Sequence, residues 1–310
     1  MSRTYIREKK EDKPVLAICY DFDKTLSPDD MQAQGYIQDV WDGDVGEFWA
    51  SVDELKINNE MDDNLAYMYK MLTEARGRTL FTRSKLEEYG SKVELFPGVD
   101  AEGDTENWFE RVRKIGEAHG VIVEHYIISS GVKEMIEGTA PARAGAFKKI
   151  YASSFLFDET GTAIWPAQAV NYTNKTQFLF RIEKGVLDVN DNEGVNMYFR
   201  PDEFRVPFRN MVYIGDSATD IPCMKLVKSY GGHAIGVYNP SAADSSKAKS
   251  KVHQMVRDNR INYFAPADYR QGAEMEQLLT KIIKTVAMQD ELENVKFACE
   301  REALADSTNE

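Results

Sequence analysis

Cysteine, histidine, positive charge and long apolar runs are all scarce in this 310-residue chain, and each scarcity removes a class of function. Three cysteines, Cys19, Cys223 and Cys299, are too few for a disulfide framework. Cys19 lies in an apolar run and Cys223 in a helical stretch, where each reads as a small apolar filler in a reducing compartment. The four histidines, His119, His125, His233 and His253, are scattered, and no Cys/His spacing suggests zinc. Lysine and arginine number 38 against 51 aspartates and glutamates, a net charge of −13 that would repel a polyanion, so nucleic acid is not an expected partner. No apolar run approaches membrane-spanning length, and the charged N-terminal stretch carries no apolar signal segment. A cytoplasmic location without a membrane partner is therefore expected. Gly231-Gly232 lacks the third glycine of a dinucleotide fingerprint.

What the chain does have is an apolar run that ends in acid. Val15 to Thr25 reads VLAICYDFDKT, a stretch that predicts a strand buried on both faces, followed at once by Asp21 and Asp23. In open α/β sheets chemistry sits beyond the carboxyl ends of such strands. Two carboxylates placed there repel each other unless something positive lies between them, and a divalent cation with oxygen ligands, Mg²⁺ by default, answers that need.

The pattern continues in order along the chain. His125 to Ser129 (HYIIS) is a second apolar run, ending in Ser129, Ser130 and Gly131. Lys175 follows in YTNKTQ, and Met211 to Ile214 (MVYI) runs into Gly215-Asp216-Ser217-Ala218-Thr219-Asp220. An acidic pair, a hydroxyl, a lysine and a second acidic pair in this order resemble the four motifs of the haloacid dehalogenase superfamily, most of whose members are Mg²⁺-dependent phosphatases. The resemblance covers about residues 13–28 and 105–270, and DFDKT and GDSATD are its most specific parts. It implies an α/β fold, with a Rossmann-like three-layer core around a parallel sheet (1–28 and 101–310), plus a mainly α-helical cap domain (29–100), as in phosphoserine phosphatase-like members.

The resemblance also implies roles. Asp21 is the nucleophile, and Asp23 protonates the leaving alcohol and later deprotonates water. Asp21, the backbone carbonyl of Asp23, and Asp216 hold Mg²⁺, with Asp220 binding it or orienting water. Ser129, the adjacent Ser130 and Lys175 bind the phosphate oxygens. Lys148, Lys149 and Lys184 compete with Lys175 for this role, because an insertion over about 185–209 lengthens the spacing to Asp216. The expected activity is hydrolysis of a small phosphorylated metabolite. A phosphotransferase or mutase using the same aspartyl-phosphate, and an idle phosphate-binding regulator, remain as alternatives. The sequence KTLSPDDMQ departs from the start of phosphoserine phosphatases, so serine phosphate is not implied.

Coarser features complete the expectation. Residues 29 to about 100 read as helical, with Leu65, Met68, Tyr69 and Leu72 forming one apolar face. Trp108 to Ala118 is a helix, His233 to Tyr238 a strand, Ile261 to Pro266 an edge strand and Met275 to Met288 a closing helix with a fraying tail. The 185–209 insertion reads as loop with a short hairpin. RTYIREKKEDK near the N-terminus reads as a solvated lead-in, and Thr25 as a residue whose side chain bonds within its turn. Among the inserted residues, Arg76, Arg78 and Arg83 could meet an anionic leaving group, and Tyr36, Trp41, Phe48 and Trp49 could line an apolar pocket.

Overall fold

The computed structural model describes residues 4–101, 103 and 105–307. Strand β1 (Val15–Tyr20) is buried at all six positions, which is why its sequence is continuously apolar rather than alternating. Leu16, Ile18 and Tyr20 enter the core on one face of the sheet, and Val15, Ala17 and Cys19 enter the core on the other. The chain then leaves through the inserted helices α1 (Tyr36–Val40), α2 (Val45–Asn59), α3 (Asp63–Glu74) and α4 (Arg83–Gly90). It returns through α5 (Trp108–Ala118) and β2 (Ile122–Val132), continuing to α6 (Lys133–Gly138), α7 (Ala140–Arg143), β3 (Lys149–Phe157) and β4 (Ala163–Gln168). Helices α8 (Lys175–Lys184) and α9 (Asn192–Asn196) lead to β5 (Met211–Gly215), α10 (Ile221–Ser229) and β6 (His233–Tyr238). Then come α11 (Ser245–Arg257), β7 (Tyr263–Pro266) and α12 (Glu274–Ser307).

The seven strands lie in the order β4-β3-β2-β1-β5-β6-β7, and every neighbouring pair is parallel except β3 with β4. The path runs one way from β1 to β3 and the other way from β5 to β7. The switch point is therefore the crevice beyond the carboxyl ends of β1 and β5. Tyr20 pairs with Ile214 and Asp21 N–H donates to the Ile214 carbonyl at 2.9 Å, so the two strands end side by side. Among the described residues, no helix is long and apolar enough to cross a membrane.

Local chemistry accounts for the helices. Asp44, Asp62 and Asn107 each cap a helix by accepting backbone N–H groups of its first turn. Helix α5 begins and ends where its apolar spacing predicts, and β6 spans the residues expected of it.

Several expectations are corrected. The antiparallel β3–β4 hairpin carries no signal in the sequence; its tight turn is held by Asp158, which accepts from the N–H groups of Thr160 and Thr162. Of the face expected on α3, Met68 is buried and Leu72 packs partly buried against the core, but Tyr69 is exposed; the buried positions are Asn64, Ala66, Tyr67, Met68 and Met71. Residues 185–209 form α9 and short 3₁₀ turns rather than a hairpin, and the Arg181 guanidinium holds the segment by donating to the carbonyls of Asp188, Val189 and Asp191. The charged N-terminal stretch is not merely solvated. Arg205, almost wholly buried, pairs with Glu8, Glu11 and Glu124 and ties that stretch to β2. Among the described residues the Thr25 hydroxyl is buried without a hydrogen-bond partner, and it is the Thr25 carbonyl that is used, accepting from Tyr269 Oη at 2.7 Å. Helix α12 continues through Ser307, past the expected end at Met288 and through most of the ACEREALADSTNE tail expected to fray, whose last three residues lie outside the described ones.

Candidate active site

Asp21 leaves β1 at the switch point and turns back on its own chain. Its Oδ1 accepts the Phe22 N–H at 2.9 Å and lies 3.2 Å from Lys175 Nζ. Lys175, fully buried at the start of α8, also donates to Asp220 Oδ1 at 2.8 Å. One ammonium is thus wedged between two buried carboxylates that come from the ends of β1 and β5. Lys148 pairs with Glu8 and Glu124, and Lys184 donates to the carbonyls of Val195 and Met197, while Lys149 opens β3. Of the four lysines considered from the sequence, Lys175 is the one beside Asp21.

Asp220 has both oxygens engaged. Oδ1 also accepts from Tyr213 Oη at 2.9 Å, and Oδ2 accepts from the Ser217 N–H and hydroxyl at 3.2 and 2.9 Å. Asp216 is less encumbered, with Lys251 at 3.8 Å as its ion-pair partner. One oxygen of each of Asp21, Asp216 and Asp220 falls within 4.8 Å of the others. An all-carboxylate set at such spacing suits a hard divalent cation, whose ligands sit about 2.0–2.1 Å from Mg²⁺.

Asp23 sits two residues past Asp21, on the side of the inserted helices. Its Oδ1 accepts the Met31 N–H at 2.8 Å. Gly131 lies against its other oxygen: a Cβ at Gly131 would fall 2.9 Å from Asp23 Oδ2 and 2.3 Å from Met31 Cε. A side chain there would have to displace the ends of both Met31 and Asp23. Strand β2 does not stop at Ser129 but runs on to Val132, with an irregular register against β3 between Ile128 and Val132. Such irregularities re-aim side chains next to active sites. Ser129, buried, accepts the Gly131 N–H at 3.0 Å, so its hydroxyl shapes this turn. The Ser130 carbonyl accepts from Tyr67 Oη at 2.5 Å and Ser153 Oγ at 3.0 Å.

The electrostatics follow from burial and crowding. Burial pushes the Asp21 carboxyl up to about 6; repulsion from Asp220 adds to this and Lys175 opposes it. Burial likewise lifts Asp216 to about 7, with Asp220 adding and Lys251 opposing. Asp23 is held well above the usual carboxylate range by burial, then by Asp30 and Asp21. Burial works to lower the Lys175 pKa, but Asp21 and Asp220 outweigh it and keep the ammonium charged.

A cavity of about 260 Å³ opens beside Asp23, bordered by Asp30, Gln32, Trp49, Tyr67, Ser130 and Gly131. Of the four aromatic residues considered from the sequence, Trp49 borders it. Phe48 and Tyr36 are buried, the latter donating to the Met71 carbonyl. Gln32 and Tyr67 had no sequence signal, since neither belongs to a motif. Arg78 is bound to Asp42, and Arg83 to Glu134 and Glu137. Neither these nor Arg76 borders the cavity.

The family model for haloacid dehalogenase-like hydrolases matches residues 18–225. A relative from Borreliella burgdorferi, described only as an uncharacterized protein, is 25% identical over 286 residues, covering 86% of this chain and 95% of its own. Among solved structures, a probable phosphoserine phosphatase of Vibrio cholerae superimposes with a TM-score of 0.52 at 14% identity, over 90% of this chain and 67% of that one. A haloacid dehalogenase family hydrolase of Salmonella enterica serovar Typhi gives 0.51 at 16%, over 88% and 73%. Cytosolic 5′-nucleotidase IIIB, bound to cytidine, gives 0.50 at 15%, over 89% and 87%. At these identities the structural likeness establishes the fold, a mixed α/β architecture around a mostly parallel sheet. With the family model matching more than half of its length, the chain belongs to the haloacid dehalogenase-like hydrolases.

Proposed function

We propose that this hydrolase is a Mg²⁺-dependent phosphatase acting on a small cytoplasmic phosphate monoester through an aspartyl-phosphate. The observation that carries the reading is the buried Asp21–Lys175–Asp220 arrangement with Asp216 beside it at the sheet's switch point. Asp21 attacks phosphorus with the oxygen that Phe22 and Lys175 leave free, forming an acyl-phosphate as the ester P–O bond breaks. Asp23, protonated because burial and its acidic neighbours raise its pKa, gives its proton to the departing alkoxide. It then takes a proton from the water that attacks the acyl-phosphate, which releases phosphate and restores Asp21. The Lys175 ammonium neutralises charge on the transferring group, and Ser129 with its turn holds another phosphate oxygen.

Asp21, Asp216 and the Asp23 carbonyl would hold the Mg²⁺, which supplies charge compensation between an anionic nucleophile and an anionic ester. Asp220, with both oxygens given to protein donors, positions Lys175. Residues 29–100 form the cap that covers the site, selects the leaving group and excludes water. The test is phosphate release from phenyl phosphate and a panel of metabolite esters, with Mg²⁺ or EDTA, comparing wild type with Asp21→Asn. Turnover that needs Mg²⁺ and vanishes in a folded Asp21→Asn is the expected result. Undiminished turnover in the pure mutant would overturn the assignment.

A further inference from the structure

The cavity beside Asp23 is where the alcohol portion of an ester attached at Asp21 has to lie, so its lining bears on the substrate. Gln32 is only 3% exposed, yet its amide has no hydrogen-bond partner among the described residues. Trp49 also borders the cavity, with its indole N–H buried out of contact with it. The Gln32 amide therefore offers both a donor and an acceptor to an occupant of the cavity. Tyr67 has spent its proton on the Ser130 carbonyl and can only accept.

We infer that this cavity selects an uncharged, polyhydroxylated leaving group, a sugar- or polyol-like alcohol. The inference rests on the phosphatase reading and deepens it. Three alternatives fit less well. No lysine, arginine or histidine borders the cavity, and Lys24 is already committed to Asp29 and Asp30, so a leaving group bearing a carboxylate or second phosphate would meet two carboxyls and no unpaired cation in the lining. An alkyl group would leave the Gln32 amide stranded. An amine gains little from Asp30, because Lys24 already binds that carboxylate at 2.8 Å. Hydroxyls donate to Tyr67 and Asp30 and accept from Gln32. The volume, about 260 Å³, lies just below the ~300–1,000 Å³ of typical ligand pockets, which suits a small metabolite.

The experiment compares kcat/KM for four esters of similar length: glucitol 6-phosphate, 6-phosphogluconate, glucosamine 6-phosphate and n-hexyl phosphate, with phenyl phosphate as a generic ester. Wild type should favour glucitol 6-phosphate by about tenfold or more over the other three. Gln32→Leu should narrow the ratio of glucitol to hexyl ester by about tenfold, the scale of a lost hydrogen bond to a buried amide. Gln32→Met, which keeps the length of the side chain and removes its amide, serves the same purpose should Gln32→Leu fail to fold. Equal rates across the four, or preference for the carboxylate, amine or alkyl ester, would overturn the inference while phenyl phosphate turnover left the phosphatase reading intact. Silence on every ester, phenyl phosphate included, would remove that reading and this inference with it.

Discussion

Lys175 is a fully buried cation with two carboxylates in contact, and the three charges are mutually dependent. Removing the ammonium leaves Asp21 and Asp220 facing each other unpaired in a site with little water. Breaking a buried pair in this way costs about 3–5 kcal/mol. Lys175→Met is therefore expected to lose stability on that scale by urea denaturation in EDTA, and to lose phosphate release as well. Adding Asp21→Asn to it relieves part of the repulsion, so the double mutant should lose less than the sum of the two single losses. Additivity within about 0.5 kcal/mol would show that the contacts carry no coupling. Asp21, Asp23, Lys175, Asp216 and Asp220 are legible in the sequence because each stands at the end of an apolar run or the start of a helix. There chemistry, not packing, explains an acid or a base. Gln32 and Tyr67 are not legible. A glutamine before a helix and a tyrosine at helical spacing look like ordinary surface and core until the inserted helices bring them beside Asp23.

At the scale of elements, the inserted helices meet the sheet layer through two glycines. A Cβ at Gly90, the last residue of α4, would fall 1.8 Å from the Met135 carbonyl oxygen, and one at Gly138, the last of α6, would fall 2.0 Å from the Glu87 carbonyl oxygen. The obstacle in each case is backbone of the facing helix, which cannot swing aside as a side chain would. On an exposed helix glycine to alanine is favourable by about 1 kcal/mol. Here Gly90→Ala and Gly138→Ala should each instead destabilise by about 1–3 kcal/mol, the cost of overpacking, read as a lowered urea midpoint. A neutral or stabilising effect would mean the helices separate freely. This crossing was invisible in the sequence, because a glycine near a helix end reads first as a terminator. The same ambiguity hid the β3–β4 hairpin, whose strand β3 begins among lysines and whose β4 is half exposed. Helix α5 and strand β6, by contrast, carry the full period of their buried face and were bounded from sequence alone. Strand β7 lies in the stretch its apolar run predicts but begins two residues into it, with Ile261 buried in the core ahead of the strand.

Taken as a whole, the molecule carries a charge of −13 and buries several carboxyls whose protons it prefers to keep. Burial raises Asp21 to about 6, and raises Asp216, Glu134 and Glu183 each to about 7. In the unfolded chain such groups ionise near pH 4. Between that value and 7 the unfolded state has lost protons that the folded state still holds, so the stability from these groups is complete below about pH 4 and is lost as the pH rises through 6 to 7. Two histidines oppose this. Burial lowers His125 to about 3 and also lowers His233, so both favour the fold increasingly as the pH rises toward 6.5. His125 stays neutral within a closed chain, since Trp108 donates to Tyr20, Tyr20 to its Nδ1, and its Nε2–H to the Phe109 carbonyl. Four carboxyls outweigh two imidazoles, and above pH 6.5 only the carboxyls still act. In EDTA the melting temperature should therefore fall between pH 5 and pH 8. Of the four carboxyls, Asp21 and Asp216 belong to the proposed cation site, while Glu134 and Glu183 lie in α6 and α8 outside it. Mg²⁺ should then raise the melting temperature markedly at pH 8, where the site is ionised, and little at pH 5, where protons already occupy it. A melting temperature that rises with pH in EDTA would contradict the buried-carboxyl argument. A Mg²⁺ effect equal at both pH values would contradict the assignment of those two carboxylates to the cation.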